Sequence, residues 1–419
     1  MTLPDRNGPN RNERWSQLQR TRVAILAHFF VLGAATATWA ARLPAIKAEL
    51  HLSDGRLGLA LFAIPVGSVL TLAMSGRITD RFGAVRVLRI AGLLVPVALA
   101  CLGLPGNLPL LMVLLMCYGA VSGLLDVAMN TCGARLEAAY GRPILTSLHA
   151  GYSIAGLAGA GIGGAFAALG IAPLPTFVTA AVTLAVLAAL AGRQVVLPPV
   201  VPHTDLPGAP PRRTARNITL VIAVLGLLGL CGQLGEGAAG DWSAVYLHVN
   251  LGTPAGVAAA GLAAFSVTMA VGRMFGDRLA ARFGSALLVR CSGLVAGLGL
   301  AGGLLIGTPA AAIAGFALLG AGLAAIFPLA VSVAARLDPE HAGRNIGRIA
   351  AVAYLGLLGG PVAIGAIASG VGLRDALLVP AGLALLVAVL AGIMGQEKRQ
   401  APDEAAQDGS DQPGAEARL

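Results

Sequence analysis

Twelve apolar stretches of about twenty residues each recur along nearly the whole chain, and a stretch of that length is what crosses the hydrocarbon core of a bilayer as an α-helix. Of the 419 residues, 56% are hydrophobic and only 12% charged, whereas a soluble domain carries about 25% charged residues. A soluble core has no room for so many apolar side chains. The spans fall near residues 22–42, 56–75, 87–104, 108–133, 144–169 and 173–192, then 218–247, 254–276, 285–306, 309–334, 346–369 and 374–395. The expected fold class is an all-α membrane protein of twelve transmembrane helices in two halves, with the lipid bilayer as its surroundings.

The formal net charge is +9. The basic residues are dispersed into short loops and form no single patch, so no nucleic-acid partner is expected. With the N-terminus in the cytosol, 25 of the 29 Lys and Arg residues fall on one side, Arg273 and Arg278 among them; only Arg42, Lys47, Arg56 and Arg374 fall on the other. Lys and Arg accumulate in cytosolic loops, which sets both termini inside. Residues 1–21 read as a cytosolic tail and not as a cleaved signal, because the basic stretch is long, contains Glu13 and Trp15, and precedes many further spans. Residues 193–217, rich in proline and arginine, read as a cytosolic linker between a half at 22–192 and a half at 218–395. The polar residues 396–419 read as a disordered cytosolic tail. The five cysteines lie in apolar segments without metal-ligand spacing; no metal, disulfide framework or cofactor is expected.

Charge returns in one dense segment, "GRITDRFGAVRVLR" (Gly76–Arg89), between the second and third spans. A looser copy, "GRMFGDRLAARFGSALLVR", occupies Gly272–Arg290. The Ala-Arg-Leu runs beginning at Ala134 and Ala335 match at an offset of 201, and Gly141/Gly343 and Tyr152/Tyr354 match at 202. Such pairs argue for two repeated six-helix units packed about an axis along the membrane normal. Gly76-x-x-x-Asp80-Arg81-x-Gly83-x-x-Arg86 resembles the signature loop of the major facilitator superfamily, over roughly residues 20–395. "GLLDVAMN" (Gly123–Asn130), "SLHAGY" (Ser147–Tyr152) and "GDWSAVYL" (Gly240–Leu247) are similar to its fucose permease-like branch, with many bacterial inner-membrane members.

By geometry, Gly76 and Gly83 allow a tight turn and close helix approach, and Asp80 can pair with Arg86 or face the positive N-terminus of another helix. The resemblance implies the second, with Asp80 meeting the start of the eleventh span and Asp277, beside Arg278, meeting the start of the fifth. Inside the bilayer, charged groups are costly and therefore functional candidates. Ser122, Asp126 and Asn130 share one face of the fourth span; His149 lies on the fifth. Asp126 and His149 are the expected proton-coupling pair, a hydrogen-bonded structural pair being the alternative. The resemblance implies an acidic residue at the Asp126 position and a polar one at the His149 position, with proton coupling and substrate contact there.

Five glycines between Gly229 and Gly240 weaken the seventh span, and an interrupted span points to a binding site. Gln233 and Glu236 on it, with Ser122, Asn130 and Tyr152, are the expected substrate-binding residues. Asp241 and Arg42 form a candidate outer gate. Trp39 and Trp242 are read as interfacial anchors, and His28 either as a cavity residue or as packing. "GLAGAGIGG" (Gly156–Gly164) and "GLLGGPVAIG" (Gly356–Gly365) are small-residue faces for close helix contact.

No G-x-x-x-x-G-K-[ST] loop occurs, which argues against an ATP-driven pump, and no catalytic constellation suggests an enzyme. The expectation is a monomeric secondary carrier moving a small solute by alternating access: proton symport of a sugar-like solute, or alternatively proton-antiport efflux of small amphiphiles or drugs. A ligand-binding membrane receptor or scaffold is the remaining alternative.

Overall fold

The computed structural model describes residues 11–198 and 215–395. Among them all regular structure is helical, in the order α1 Arg11–Glu49, α2 Asp54–Leu61, α3 Ala63–Phe82, α4 Ala84–Cys101, α5 Leu108–Tyr140, α6 Leu145–Ala168, α7 Pro173–Gln194, α8 Ala215–Val245, α9 Ala255–Phe283, α10 Ser285–Ile306, α11 Pro309–Leu323, α12 Ile326–Leu337, α13 Ala342–Val371, α14 Leu373–Ala376 and α15 Leu378–Leu390. Eleven helical stretches are long and apolar enough to cross a membrane, and a pair bent by 49° over Arg56–Leu72 and Met74–Phe82 makes a twelfth. Most of the linker and all of the C-terminal tail lie outside the described residues. Where the sequence suggested an N-terminal tail up to residue 21, α1 is already helical from Arg11.

Sequence punctuation sets the ends of these helices. Asn107 caps α5 by accepting from Leu110 N at 3.0 Å, with Pro109 in its first turn, and Gly141 closes it in the left-handed conformation. Several helices outrun their apolar stretch: α5 continues to Tyr140 and α9 to Phe283. Hydrophobicity marks only the lipid-immersed part, while the helical hydrogen-bond ladder continues past the bilayer surface.

Two hydrophobic clusters correspond to the two halves. One contains buried residues of α1–α7, the other buried residues from Val221 onward. Five residues of the second half, Val331, Ala335, Ala342, Ile346 and Ala350, join the first cluster. All five lie where α12 ends and α13 begins, on the face bearing most of the arginines, here called the basic face. The halves therefore pack against each other at that end.

Within each half, close approach relies on small residues, as it must where lipid supplies no hydrophobic drive between helices. A Cβ on Gly159 or Gly163 of α6 would collide with Ala34 or Ala41 of α1, and one on Gly356 of α13 with the Leu230 carbonyl of α8. The two glycine-rich segments thus bind equivalent helix pairs, α1–α6 and α8–α13.

Two expectations are corrected here, and one open alternative is resolved. The seventh span is not interrupted: α8 is continuous to Val245, and Gly229 and Gly235 face Ala353 and the Leu323 side chain in packed contacts. The breaks fall instead between α11 and α12, at Ala324–Ala325, and in the second and twelfth spans. Trp39 is no interfacial anchor, being 3% exposed with its ring 5.8 Å from Phe177; Trp242 packs over Gly365. His28 is fully buried, bonded to the Ala24 carbonyl at 2.8 Å and seated against Gly92, so it is a packing residue.

Candidate functional site in the bundle centre

The polar residues of α5 and α6 form a single chain of contacts. Asn130 Nδ2 donates to Asp126 Oδ1 at 3.1 Å and to the Asp126 carbonyl at 2.9 Å. Its Oδ1 then faces His149 Nε2 at 3.0 Å. A carboxylate only accepts, so it orients the amide with its NH2 toward Asp126; the amide oxygen is left for histidine, whose Nε2 must carry the hydrogen. Asp126 and His149 are thus linked through Asn130. The imidazole lies between two rings, Phe29 of α1 at 4.8 Å and Phe327 of α12 at 5.7 Å between centroids. Phe327 follows the break between α11 and α12 and brings the second half onto the histidine of the first.

Arg273 of α9 belongs to this site. Sequence reasoning counted it among the arginines of the basic side, yet it is only 8% exposed. It donates through Nη1 to Ser153 Oγ of α6 at 2.7 Å and pairs through Nη2 with Glu236 of α8 at 3.5 Å. One guanidinium therefore bridges the halves just inside Asp277. Glu236, Gln233, Tyr152 and Ser122 are partly exposed, while Asn130 is fully buried. No group of three His, Cys, Asp or Glu residues fit to hold a metal occurs among the described residues.

Toward the basic face, carboxylates from one half meet helix starts in the other. Asp277 accepts from the backbone N–H groups of Thr146 and Ser147, both at 2.9 Å, in the first turn of α6. Asp80 accepts from Arg344 N at 3.2 Å in the first turn of α13, with Arg344 Nε at 4.0 Å. Helix starts present unpaired N–H groups and a partial positive charge, so each contact is favourable twice over. Gly76 and Gly83 serve different needs. A Cβ on Gly76 would lie 2.5 Å from the Arg344 Cα, whereas Gly83 has open space around it but a φ of 86° that ends α3. Arg81 and Arg278 lie over the rings of Phe82 and Phe275, and Arg86 is exposed.

A third contact was missed in the sequence. Glu137 of α5, 5% exposed, accepts through Oε2 from Ile144 N at 2.9 Å and Leu145 N at 3.1 Å. Its other oxygen accepts from Ser332 Oγ and, at 3.0 Å, from Arg336 of α12. The signal was present: Glu137 follows one Ala-Arg-Leu run and Arg336 is the arginine of the other.

At the opposite face the candidate gate residues stay apart. Arg42, 3% exposed, donates to the Ile171 carbonyl within its own half, and Asp241 is exposed. Arg374 likewise binds the carbonyls of Leu304 and Leu305, both at 3.0 Å, in its own half. The halves are joined by carboxylate contacts at the basic face, whereas at the other Arg42 and Arg374 each bind within their own half.

Eleven apolar helices and one bent pair, arranged in two such units, define a polytopic membrane protein of two repeated halves. A family model for the Major Facilitator Superfamily matches residues 24–293 and 225–417, and the chain belongs to that superfamily. It is 35% identical to the uncharacterized transporter y4wD of Sinorhizobium fredii over 89% of this chain and 97% of that one. Against an uncharacterized MFS-type transporter of Yersinia pestis the identity is 33%, over 84% and 89%. Among solved structures it superposes on the transporter FucP in its outward conformation with TM-score 0.70 and 15% identity, covering 89% of this chain and 98% of that one. The proton:xylose symporter XylE gives TM-score 0.69 at 13% identity, covering 90% and 95%.

Proposed function

We propose that the protein is a proton-coupled symporter of a small sugar-like solute, working as a monomer in a bacterial inner membrane with both termini cytosolic. The observation that carries this reading is the Asp126–Asn130–His149 chain, two titratable groups joined through one amide inside the bundle. Buried ionisable groups in a membrane core mark proton paths, and Asp126 is the proton carrier of the proposal with His149 its partner. The fold neighbours FucP and XylE, described as fucose:proton and proton:xylose symporters, support sugar symport. The bacterial relatives and the arginine bias support the membrane and the orientation.

Solute binds to Ser122, Asn130, Tyr152, Gln233 and Glu236, which offer neutral hydrogen-bonding groups and one carboxylate beside the proton carrier. Asp80 and Asp277 hold the cytosolic gate with Gly76, Arg81, Gly83, Arg86 and Arg278 around them, and Arg42 with Asp241 closes the outer side in the alternate state. Rocking exchanges one set of contacts for the other, a difference of a few kcal/mol that solute and proton binding can supply.

The test is proton movement in proteoliposomes containing a pH-sensitive dye, with a panel of sugars and amphiphiles, wild type beside Asp126→Asn. Symport predicts acidification of the compartment that gains solute, lost in the variant. Protons moving against the solute would establish antiport instead, and uptake without proton movement would remove Asp126 from coupling.

A further inference from the structure

On the basic face the seam between the halves holds two crevices related by the internal repeat. The one between α3 and α13 has a volume of about 330 Å³ and is lined by Arg77, Arg344 and Arg348 with Leu72, Ala351 and Val352. The other, about 200 Å³, lies between α6 and α9 and is lined by Arg22, Arg142 and Arg278 among others. Arg142 and Arg344 stand 202 positions apart, the offset of Gly141 and Gly343, while Arg77 and Arg278 come from different positions of the signature segment and its copy. Equivalent helix pairs form the two crevices, but their basic linings are only partly equivalent.

The two differ in what meets the guanidinium groups. In the α6–α9 crevice the chain supplies partners: Arg142 lies over the rings of Trp15 and Tyr140, Arg278 over Phe275, and Arg22 donates to Ser147 Oγ at 2.9 Å. The start of α1, carrying Trp15 and Arg22, folds over that side. In the α3–α13 crevice, Arg77 and Arg348 have no hydrogen bond, ion pair or ring contact among the described residues, and Arg344 has only Asp80. Three arginines and one carboxylate leave a surplus of positive charge in this crevice, with Arg77 and Arg348 exposed at its rim.

The lining is ordered by depth. α13 enters the membrane from the basic face, so Arg344 and Arg348 precede Ala351 and Val352 along it, a descent of about 12 Å at ~1.5 Å per residue. On α3, which runs the other way, Leu72 lies deeper than Arg77. Charge at the interface with apolar wall below it matches a phospholipid, whose phosphate stands above its acyl chains; a soluble anion would use the arginines alone. We propose that this crevice binds the phosphate headgroup of an anionic phospholipid in the leaflet at the basic face, with an acyl chain along Leu72, Ala351 and Val352. Arginine suits phosphate by its planar, multidentate donors, and basic pockets between membrane helices favour anionic headgroups. The crevice exists only while α3 and α13 touch, where Gly76 meets Arg344. The lipid therefore stabilises the state closed at the basic face.

The experiment uses the purified full chain in nanodiscs of phosphatidylcholine alone or mixed with phosphatidylglycerol. Spin-label distances across the basic face report the closed fraction, and native mass spectrometry reports retained lipid. Phosphatidylglycerol should raise the closed-to-open ratio about tenfold, the scale of one or two charge-assisted contacts. The double variant Arg77→Gln/Arg348→Gln should lose both the shift and the retained lipid. Arg77→Lys/Arg348→Lys, which keeps the charge and guards against a folding defect, should retain part of each, and Arg142→Gln should leave both in place. A glutamine variant that responds like wild type overturns the proposal. So does an equal shift by inorganic phosphate in phosphatidylcholine, which would make this a site for soluble anions.

Discussion

Asp277 of α9 holds the first turn of α6 through the Thr146 amide, 2.9 Å from its Oδ1, and so ties the second half of the protein to a helix start in the first. The neighbouring Ser147 amide meets its other oxygen. Hydrogen bonds to a charged group contribute ~1.5–3 kcal/mol each. Asp277→Ala removes both and should shift the population at least tenfold toward opening at the basic face. Asp277→Asn keeps one acceptor and should shift it less. Accessibility of a cysteine introduced on the basic side of α6 to a soluble thiol reagent measures the change; identical labelling of all three proteins would deny the contact a gating role.

Gly76 and Gly83 should fail in different ways when replaced by alanine. At Gly76 the methyl would press on the Arg344 backbone, which only the closed seam brings near. Gly76→Ala should therefore favour the open basic face with little change in thermal stability. At Gly83 the surroundings are empty and the cost is the positive φ, ~1–3 kcal/mol for an L-residue held in so sparsely populated a backbone region in every state. Gly83→Ala should lower the unfolding temperature and leave the conformational ratio nearly unchanged. Thermal unfolding in detergent and spin-label distances separate the two effects.

His149 is held by one hydrogen bond to Asn130 and by two aromatic edges. Glutamine can donate to the same amide oxygen without titrating. His149→Gln should therefore keep solute exchange across a membrane without a gradient while reducing proton-driven accumulation, and His149→Phe should impair both. Counterflow and accumulation assays with the same solute distinguish these outcomes.

Arg273 is nearly buried, whereas Glu236 retains about a third of its side-chain exposure at 32%. Removing the exposed partner leaves a buried cation with Ser153 as its remaining hydrogen-bond acceptor. Breaking a buried pair in this way costs ~3–5 kcal/mol at the upper limit, and the exposure of Glu236 brings the expectation below that. Glu236→Gln should lower the unfolding temperature by more than Arg273→Met, which leaves only a partly exposed carboxylate, and Glu236→Gln/Arg273→Met should recover part of the loss. Additive losses in this double-mutant cycle would show the two residues to be energetically independent.

The fold was legible in the sequence because lipid imposes a coarse rule. Every spanning segment must satisfy its own backbone hydrogen bonds and present apolar side chains, so length and hydropathy suffice to count spans. The turn glycine Gly83 is equally local, and the Ala-Arg-Leu, glycine and tyrosine pairs carried the repeat.

What remained hidden was pairing between residues far apart in the chain. Glu137 reads as a loop-side charge until α12 sets Ser332 and Arg336 against it, and Arg273 reads as one more orienting arginine until α9 turns it toward Ser153 and Glu236. Trp39 has the composition of an interface anchor, yet its neighbour proves to be Phe177 inside the bundle. Glycine content suggested a broken seventh span, but a weak helix former is held straight when its missing side chains let another helix approach. The sequence by itself determined how many helices cross the bilayer and where their charges accumulate, because each depends on a segment's own composition. Which buried charges meet, and at which face the halves close, only the tertiary structure decided, because those contacts join residues from tens to hundreds of positions apart.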